Sequence, residues 1–222
     1  MKQKIFGVTV AKLTASFGQT IYMVGLSLFF GAILGILLAL VLVLCRKGGL
    51  KENRIVYGIV STFVNIVRSV PFVILIVTIM PLTRAIMGTT IGSTAALVPL
   101  NFYISPYMAR LVENSLLEVS DGIIEAARAM GATTFQTVWN FLLPEALGSI
   151  VLALTTGTIG LLGASAMAGY VGGGGIGDLA LTYGYQKFNT PLMIFTVVIL
   201  IIVVQLLQAL GNGLSRRLRE HN

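Results

Sequence analysis

From Ile21 to Cys45 the chain carries no charged side chain. A helix needs about 20 apolar residues to cross the hydrocarbon core of a bilayer, and an uncharged run of this length has few other uses. Charge is scarce elsewhere too: 10% of the 222 residues are charged and 56% are hydrophobic, with a mean hydropathy of +0.92. A soluble domain carries about 25% charged residues. The expectation is an all-α membrane protein whose residues 1–222 form a single bundle. A barrel of strands is disfavoured, because the apolar runs are too long and do not alternate.

Four further runs follow. A second span is expected at about Ile55 to Met80, interrupted by Asn65, Arg68 and Pro71. A third lies at about Ile91 to Met108 with Pro99 and Pro106, which a transmembrane helix tolerates where neighbours re-satisfy the freed carbonyls. The fourth and fifth are expected at about Leu147 to Val171 and Pro191 to Leu210. Residues 1–20 mix Lys2, Lys4 and Lys12 with Thr14 and Ser16 and are expected to form a surface-lying lead-in. They show no apolar core followed by a small-residue cleavage site, so no signal peptide is expected. One cysteine, Cys45, and one histidine, His221, leave no disulfide framework and no metal cluster. Cys45, at a span end, is expected to be inert packing. Gly31 and Gly35, four apart in the first span, suit close helix packing.

Lysine and arginine counts near span ends set orientation. Arg46, Lys47, Lys51, Arg54, Arg110, Arg128, Arg216, Arg217 and Arg219 lie on one side; Lys2, Lys4, Lys12, Arg84 and Lys187 lie on the other. The richer side is the cytoplasmic one, which puts the N-terminus outside and the C-terminus inside a cell membrane. The net charge of +7 is then a topology signal rather than a nucleic-acid site.

Five of the eight acids, Glu113, Glu118, Asp121, Glu125 and Glu145, fall between 110 and 145. A chain this apolar is expected to place them where it meets water or a soluble partner. Asp121 is expected to cap a helix starting at Gly122, with Glu125 favoured by the helix dipole. Ala126 and Ala129 keep that helix slim, Gly131 breaks it, and Phe135, Val138 and Trp139 resume an apolar pattern. Pro144 is expected to start the next helix. On composition alone, a solvated connector and a docking element stand equal.

The order Glu125-Ala126-Ala127, three residues, Gly131, nine residues, an apolar residue, any residue, Leu143-Pro144 resembles the signature of ABC importer permeases. Phe141 stands where that signature usually has isoleucine. The resemblance implies a type I importer permease fold of five spans, with residues 119–144 forming a cytoplasmic coupling helix and loop. Glu125, Ala126, Ala127, Gly131, Leu143 and Pro144 would couple the spans to an ATP-binding cassette ATPase dimer. Arg68-Ser69-Val70-Pro71 looks like an element of amino-acid permeases. The stretch Gly163 to Gly169, the run Gly172 to Gly177 and Tyr183-Gly184-Tyr185 are similar to methionine uptake permeases. Those permeases work as homodimers, with an extracytoplasmic lipoprotein that captures substrate. Lipid is the remaining partner; no cofactor, metal or nucleic acid is expected.

Within the fourth span Thr156, Gly160, Ala164, Ala168 and Gly172 recur every four residues, a small-residue stripe suited to a twofold axis. Gly163, Ser165 and Met167 are candidate pore residues. Met167 is either a flexible plug at the pore or an ordinary packing residue. Ser165 either lines the pore or bonds its own backbone. Arg68 either meets a passing carboxylate or bonds helix ends and snorkels to the surface. The G-x-G-x-x-G within Gly172 to Gly177 follows a membrane helix, not a strand, so a dinucleotide site is rejected in favour of a tight outer turn.

No G-x-x-x-x-G-K-[ST] occurs, so energy would enter from a partner. The expected spans contain no Asp or Glu, against an ion-coupled secondary transporter or channel. A docking scaffold without transport would need neither Met167 nor the stripe. An intramembrane enzyme is disfavoured by the absence of Ser/His, paired-Asp or His-x-x-x-His sets in the spans.

Overall fold

Pro71 decides the path of the second apolar run. In the computed structural model, which describes residues 4–220, helices Arg54–Ser69 (α2) and Phe72–Thr78 (α3) meet at a bend of 104°. Proline has no N–H to continue a helix, and its ring pushes the preceding residue out of helical geometry. Pro71 therefore sits extended (φ −55°, ψ 137°) ahead of α3. The expected span Ile55 to Met80 is thus a broken one, continued by α4 (Met80–Met87), which ends on Gly88 in the left-handed conformation. Lys2 and His221, used in the charge and metal readings, lie outside the described residues.

The remaining elements follow the apolar runs but overshoot them. A two-residue-per-strand hairpin, Lys4–Ile5 (β1) against Val8–Thr9 (β2), precedes α1, Val10–Cys45. The surface-lying lead-in is therefore limited to the hairpin: the helix begins at Val10, and Ser16 and Thr20 are buried on it. Helices α5 (Ser93–Leu117), α6 (Asp121–Ala129), α7 (Thr134–Thr137), α8 (Leu143–Ala168), α9 (Gly175–Asp178) and α10 (Thr190–Arg219) complete the order. Wide π-type turns occupy Val138–Leu142 and Leu179–Tyr185, and at Gly169–Gly173 the helix is broken by a kink at Val171 and Gly172.

Three helical stretches, Val10–Cys45, Thr134–Gly173 and Thr190–Arg219, are long and apolar enough to cross a membrane, and the bent α2–α3 pair makes a fourth. Only 11% of the most apolar window of Thr190–Arg219 is buried within the protein. Ile194, Ile201, Leu206 and Leu210 stand exposed along it, as lipid-facing residues do.

The described chain forms two compact units. The first comprises residues 1–30, 70–104 and 158–206. In it Val8, Leu13, Leu179 and Leu192 form a buried cluster flanked by Tyr183 and Phe195. The second comprises residues 31–69, 105–157 and, of the described residues, 207–220. There Gly31, Gly35, Ala39 and Leu42 give α1 a small buried face. A Cβ on Gly35 would lie 2.5 Å from Met108 Cβ and 3.1 Å from the Ser105 carbonyl oxygen, so this glycine sets how closely α1 approaches α5. At the far end of α10, Ser215 donates to the Gly148 carbonyl (2.8 Å) and Arg219 to Ser149 Oγ (3.0 Å), tying the basic tail to α8.

Candidate coupling loop and pore residues

Residues 120–139 are shaped by local hydrogen bonds that leave an apolar surface outside. The cap of α6 is Ser120, not Asp121: its Oγ accepts from the Gly122 amide (3.3 Å), and Asp121 occupies the first turn, where the dipole favours an acid. Serine wins because it sits one residue earlier, with the extended ψ of 132° that a cap requires. The helix ends at Met130, and Gly131 turns the chain with φ +78°, a conformation that favours glycine. No heavy atom lies within 4 Å of where a Gly131 Cβ would stand, so the demand there is conformational and not spatial. Helix α7 then starts from a capping box in which Thr133 and Gln136 satisfy each other's backbone amides. The Thr-x-x-Gln spacing of this capping box is present in the sequence as a local signal.

Pro144 stands in the first turn of α8, as expected, but α8 continues a helix already under way. The proline lies inside the continuous helical stretch Thr134–Gly173, directly after the wide turn Val138–Leu142. A proline removes the amide that would bond four residues back, and π-type widening is one way a helix accommodates that loss. Leu143 and Pro144 are half-buried.

Of the six signature residues, Glu125, Ala126 and Gly131 are exposed, whereas Ala127 is fully buried. Ala127 therefore seats α6 against its own unit, and the outer surface belongs to Ala126 and Ala129. Met130, Phe135 and Trp139 are 67, 73 and 63% exposed, and the two rings stack at 6.2 Å, tilted by only 4°. A stacked aromatic pair in the open is a surface that excludes little water until something covers it.

The pore candidates separate by burial. Ser165 is buried and donates to the Leu162 carbonyl (2.7 Å), so it bonds its own backbone rather than lining a path in the single chain. Ala164 and Ala168 are buried as well, and Gly172 belongs to a turn with φ +99°. The expected stripe is split: those alanines pack internally. The exposed line on this helical stretch runs instead through Thr156, Gly163, Met167 (47%) and Tyr170. Arg68 is exposed in the last turn of α2, with its guanidinium 5.9 Å from the Tyr107 ring centroid, a cation–π contact at the edge of the useful range.

The glycine-rich segment is a packing device. A Cβ on Gly177 would collide with the Ala166 backbone, and one on Gly169 would lie 2.5 Å from the Gly174 carbonyl oxygen. The amides of Gly175 and Ile176 at the start of α9 are capped by Gln19 Oε1 (2.8 Å) and Thr20 Oγ1 (2.9 Å) from α1. A tight turn is what the sequence implied; its caps from residues 156 positions earlier carried no local signal.

Two ion pairs also escaped the sequence. Lys12 Nζ meets Asp178 at 3.3 Å and lies 5.1 Å from the Tyr183 ring. Arg110 meets Glu113 at 2.6 Å and donates to Ser61 Oγ (2.6 Å) and Asn65 Oδ1 (3.0 Å). Glu113 is buried because α5 continues past Met108 to Leu117, beyond the span expected from hydropathy. A buried acid therefore exists after all, but an arginine already neutralises it, which is not the arrangement of a free proton carrier. In the connection after α1, the Gly48 amide and then Arg54 hold the Glu52 carboxyl below its ordinary value of 4.5. The described residues hold no cluster of three or more metal-ligating side chains.

Residues 31–220 match the family described as the inner membrane component of binding-protein-dependent transport systems. A probable D-methionine transport system permease protein of Vibrio cholerae is 48% identical over 205 residues, covering 92% of this chain and 91% of the relative. A methionine import system permease of Bacillus subtilis is 40% identical over 171 residues, 77% of each chain. Among solved structures, a chain of the MetNI methionine ABC transporter in an inward-facing conformation superposes with a TM-score of 0.92 at 44% identity, covering 94% of this chain and 97% of that one.

Proposed function

This chain belongs to the family of binding-protein-dependent transport inner membrane components, and from that premise we propose that it is the permease subunit of an ATP-driven methionine importer. It is a multi-pass membrane component with a type I ABC permease fold, and ATP hydrolysis resides on a partner ATPase. The similar permeases are described as transporting methionine or D-methionine, and their likeness runs along most of each chain.

The observation that carries the mechanism is the loop 120–139. A capped helix, a left-handed glycine and an exposed aromatic stack form a preorganised surface, which binds with little ordering cost. Glu125, Ala126 and Gly131, with Ala129, Met130, Phe135 and Trp139, meet the ATPase; Ala127 fixes α6 to its seat. Leu143 and Pro144 lie at the start of α8, within one helical stretch that leads on to Met167. Closure of the ATPase dimer displaces this loop, and the helix passes the movement to its outer half.

The transporter has two copies of this chain, and an extracytoplasmic binding protein delivers substrate. Each copy has five spans: α1, the bent α2–α3 pair, α5, α8 and α10. Helix α5 is less apolar than α1, α8 and α10 because protein, not lipid, surrounds it, as the burial of Leu100, Ile104, Met108 and Leu116 supports. The N-terminus is outside and the C-terminus cytoplasmic. Met167 and Gly163 face the substrate path, with the Met167 thioether as its plug. Ser165 holds the backbone beneath that plug, and Arg68, exposed in the last turn of α2, is the candidate to meet the substrate carboxylate.

The test is reconstitution of the chain with its ATPase and binding protein in liposomes. Uptake of labelled L- or D-methionine that requires ATP and binding protein, and is not matched by arginine or glucose, is expected. Uptake without ATP, or nucleotide binding by the purified permease alone, would overturn the division of labour.

A further inference from the structure

We propose that the Lys12–Asp178 ion pair is a latch on the outer side of the substrate path, one that sets how firmly the segment around Met167 is held shut. The proposal rests on the reading of Met167 as the plug of that path.

The placement of charge is the first observation. Asp178 is the one acid in the sequence of the first unit. Its side chain is 17% exposed and that of Lys12 is 36% exposed. A fully exposed pair contributes little, and a buried one is costly to break. This pair stands between the two. The lysine, on a flexible stem, can be rehydrated as it leaves, and the drier carboxylate draws it back. Lys12 and Lys187 lie 5.1 and 4.1 Å from the centroid of the same Tyr183 ring, so one carboxylate serves a site with two cations.

What the pair holds is α9. Asp178 is the last residue of α9, and Lys12 lies in the first turn of α1. Gln19 and Thr20 accept the amides at the start of α9, so α1 fastens that helix at both ends. Helix α9 in turn presses on the backbone on either side of Met167. Gly177 packs on the Ala166 backbone, and a Cβ on Gly169 would lie 2.8 Å from the Asp178 amide nitrogen. Contacts this close leave no side chain to take up slack, so a shift of α9 carries residues 166–169 with it. Asp178 is therefore a positioning residue, acting on the path through Met167. The pair is formed in a conformation that superposes on a chain from an inward-facing transporter, the state that is closed to the outside.

The test is ATP hydrolysis by the complete complex of permease and ATPase in liposomes, without binding protein. D178N should raise it roughly fivefold, the ratio that about 1 kcal/mol gives. K12Q should raise it nearly as far, and K12R, which keeps the charge, should stay near the wild-type rate. The double variant K12Q/D178N should exceed neither single one, as expected of two residues acting through one contact. A pair that only stabilised the fold would lower melting temperature and hydrolysis together, so a rise is the distinguishing result. Unchanged or reduced hydrolysis in both single variants, or additive effects in the double one, would overturn the latch. Should D178N fail to assemble, K12Q decides, since its side chain is partly in water: a wild-type rate overturns the proposal and a raised one supports it. Hydrolysis raised by M167A but by neither D178N nor K12Q would sink the latch alone and leave the plug standing.

Discussion

Two glycine-containing segments of this chain look alike as sequence and are opposites as structure. Gly131 sits in a turn with nothing within 4 Å of where its Cβ would stand, next to exposed Met130, Phe135 and Trp139. The glycines between 169 and 177 are hemmed in by their own unit: Ala166 against Gly177, Ala168 against Gly173, Gln19 against Gly174 and Thr20 against Gly175. In the second case the reason for glycine lies wholly inside the protein. In the first, the fold asks only for a positive φ, and an apolar surface with nothing covering it points to another molecule. Crowding around a glycine thus separates a structural motif from a docking one, which spacing alone does not.

The sharpest way to break this comparison is G177L. A leucine must displace the Ala166 backbone, and overpacking of this kind costs about 1–3 kcal/mol or more. We expect a drop in melting temperature and loss of the dimer on size exclusion. A variant that melts as wild type does would remove the structural reading of the glycine run. G131L comes next. The left-handed conformation costs a branched side chain about 1–2 kcal/mol, so the complex should still assemble, while ATP-driven uptake falls by roughly tenfold, or about 1.4 kcal/mol of coupling. Normal uptake by G131L would return the loop to a plain connector. The double variant F135A/W139A should leave the permease's own melting temperature within a few degrees and weaken ATPase association by about 1–3 kcal/mol, the scale of exposed aromatic anchors at interfaces. Unchanged association would move the docking surface elsewhere.

M167A probes the exposed line between the two segments. If the thioether plugs the path, its removal should raise basal ATP hydrolysis or solute leak several-fold with little loss of stability, since the side chain is 47% exposed. No change in either rate returns Met167 to packing. The smallest effect is expected at Glu52. Its carboxyl is held below 4.5 by the Gly48 amide and then Arg54, so its ionised form favours the fold. That contribution is complete above the ordinary value and disappears as pH falls through the depressed one. E52Q should therefore melt slightly below wild type at neutral pH and match it in acid; a difference that widened in acid would contradict the assignment.

How much of this was legible depends on the range of the interaction concerned. Apolar runs announced α1, α8 and α10, because bilayer length is written directly into composition. Pro71 signalled a defect in the second run, though not the 104° size of its bend. The turn at Gly131 was readable, since only local backbone geometry is involved. The cap of α6 was misassigned by one residue, Asp121 for Ser120, because both are good caps and only the backbone chooses. The fate of Ala127 was not legible, since Ala126, Ala127 and Ala129 differ only in which way the helix is rolled. The Arg110–Glu113 pair is a local i,i+3 one, whereas its Ser61 and Asn65 partners on α2 needed contacts across 45 or more positions.

The caps on Gly175 and Ile176 set a condition on the order of assembly. Gln19 and Thr20 leave the ribosome first and their clients nearly last, so the outer turn cannot acquire its final form until α1 has waited through the synthesis of almost every other helix. Those two acceptors also lie upstream of residue 31, where the family match begins. A fragment trimmed to that match would keep every residue by which the family is recognised and would still leave two amides of the turn without their acceptors.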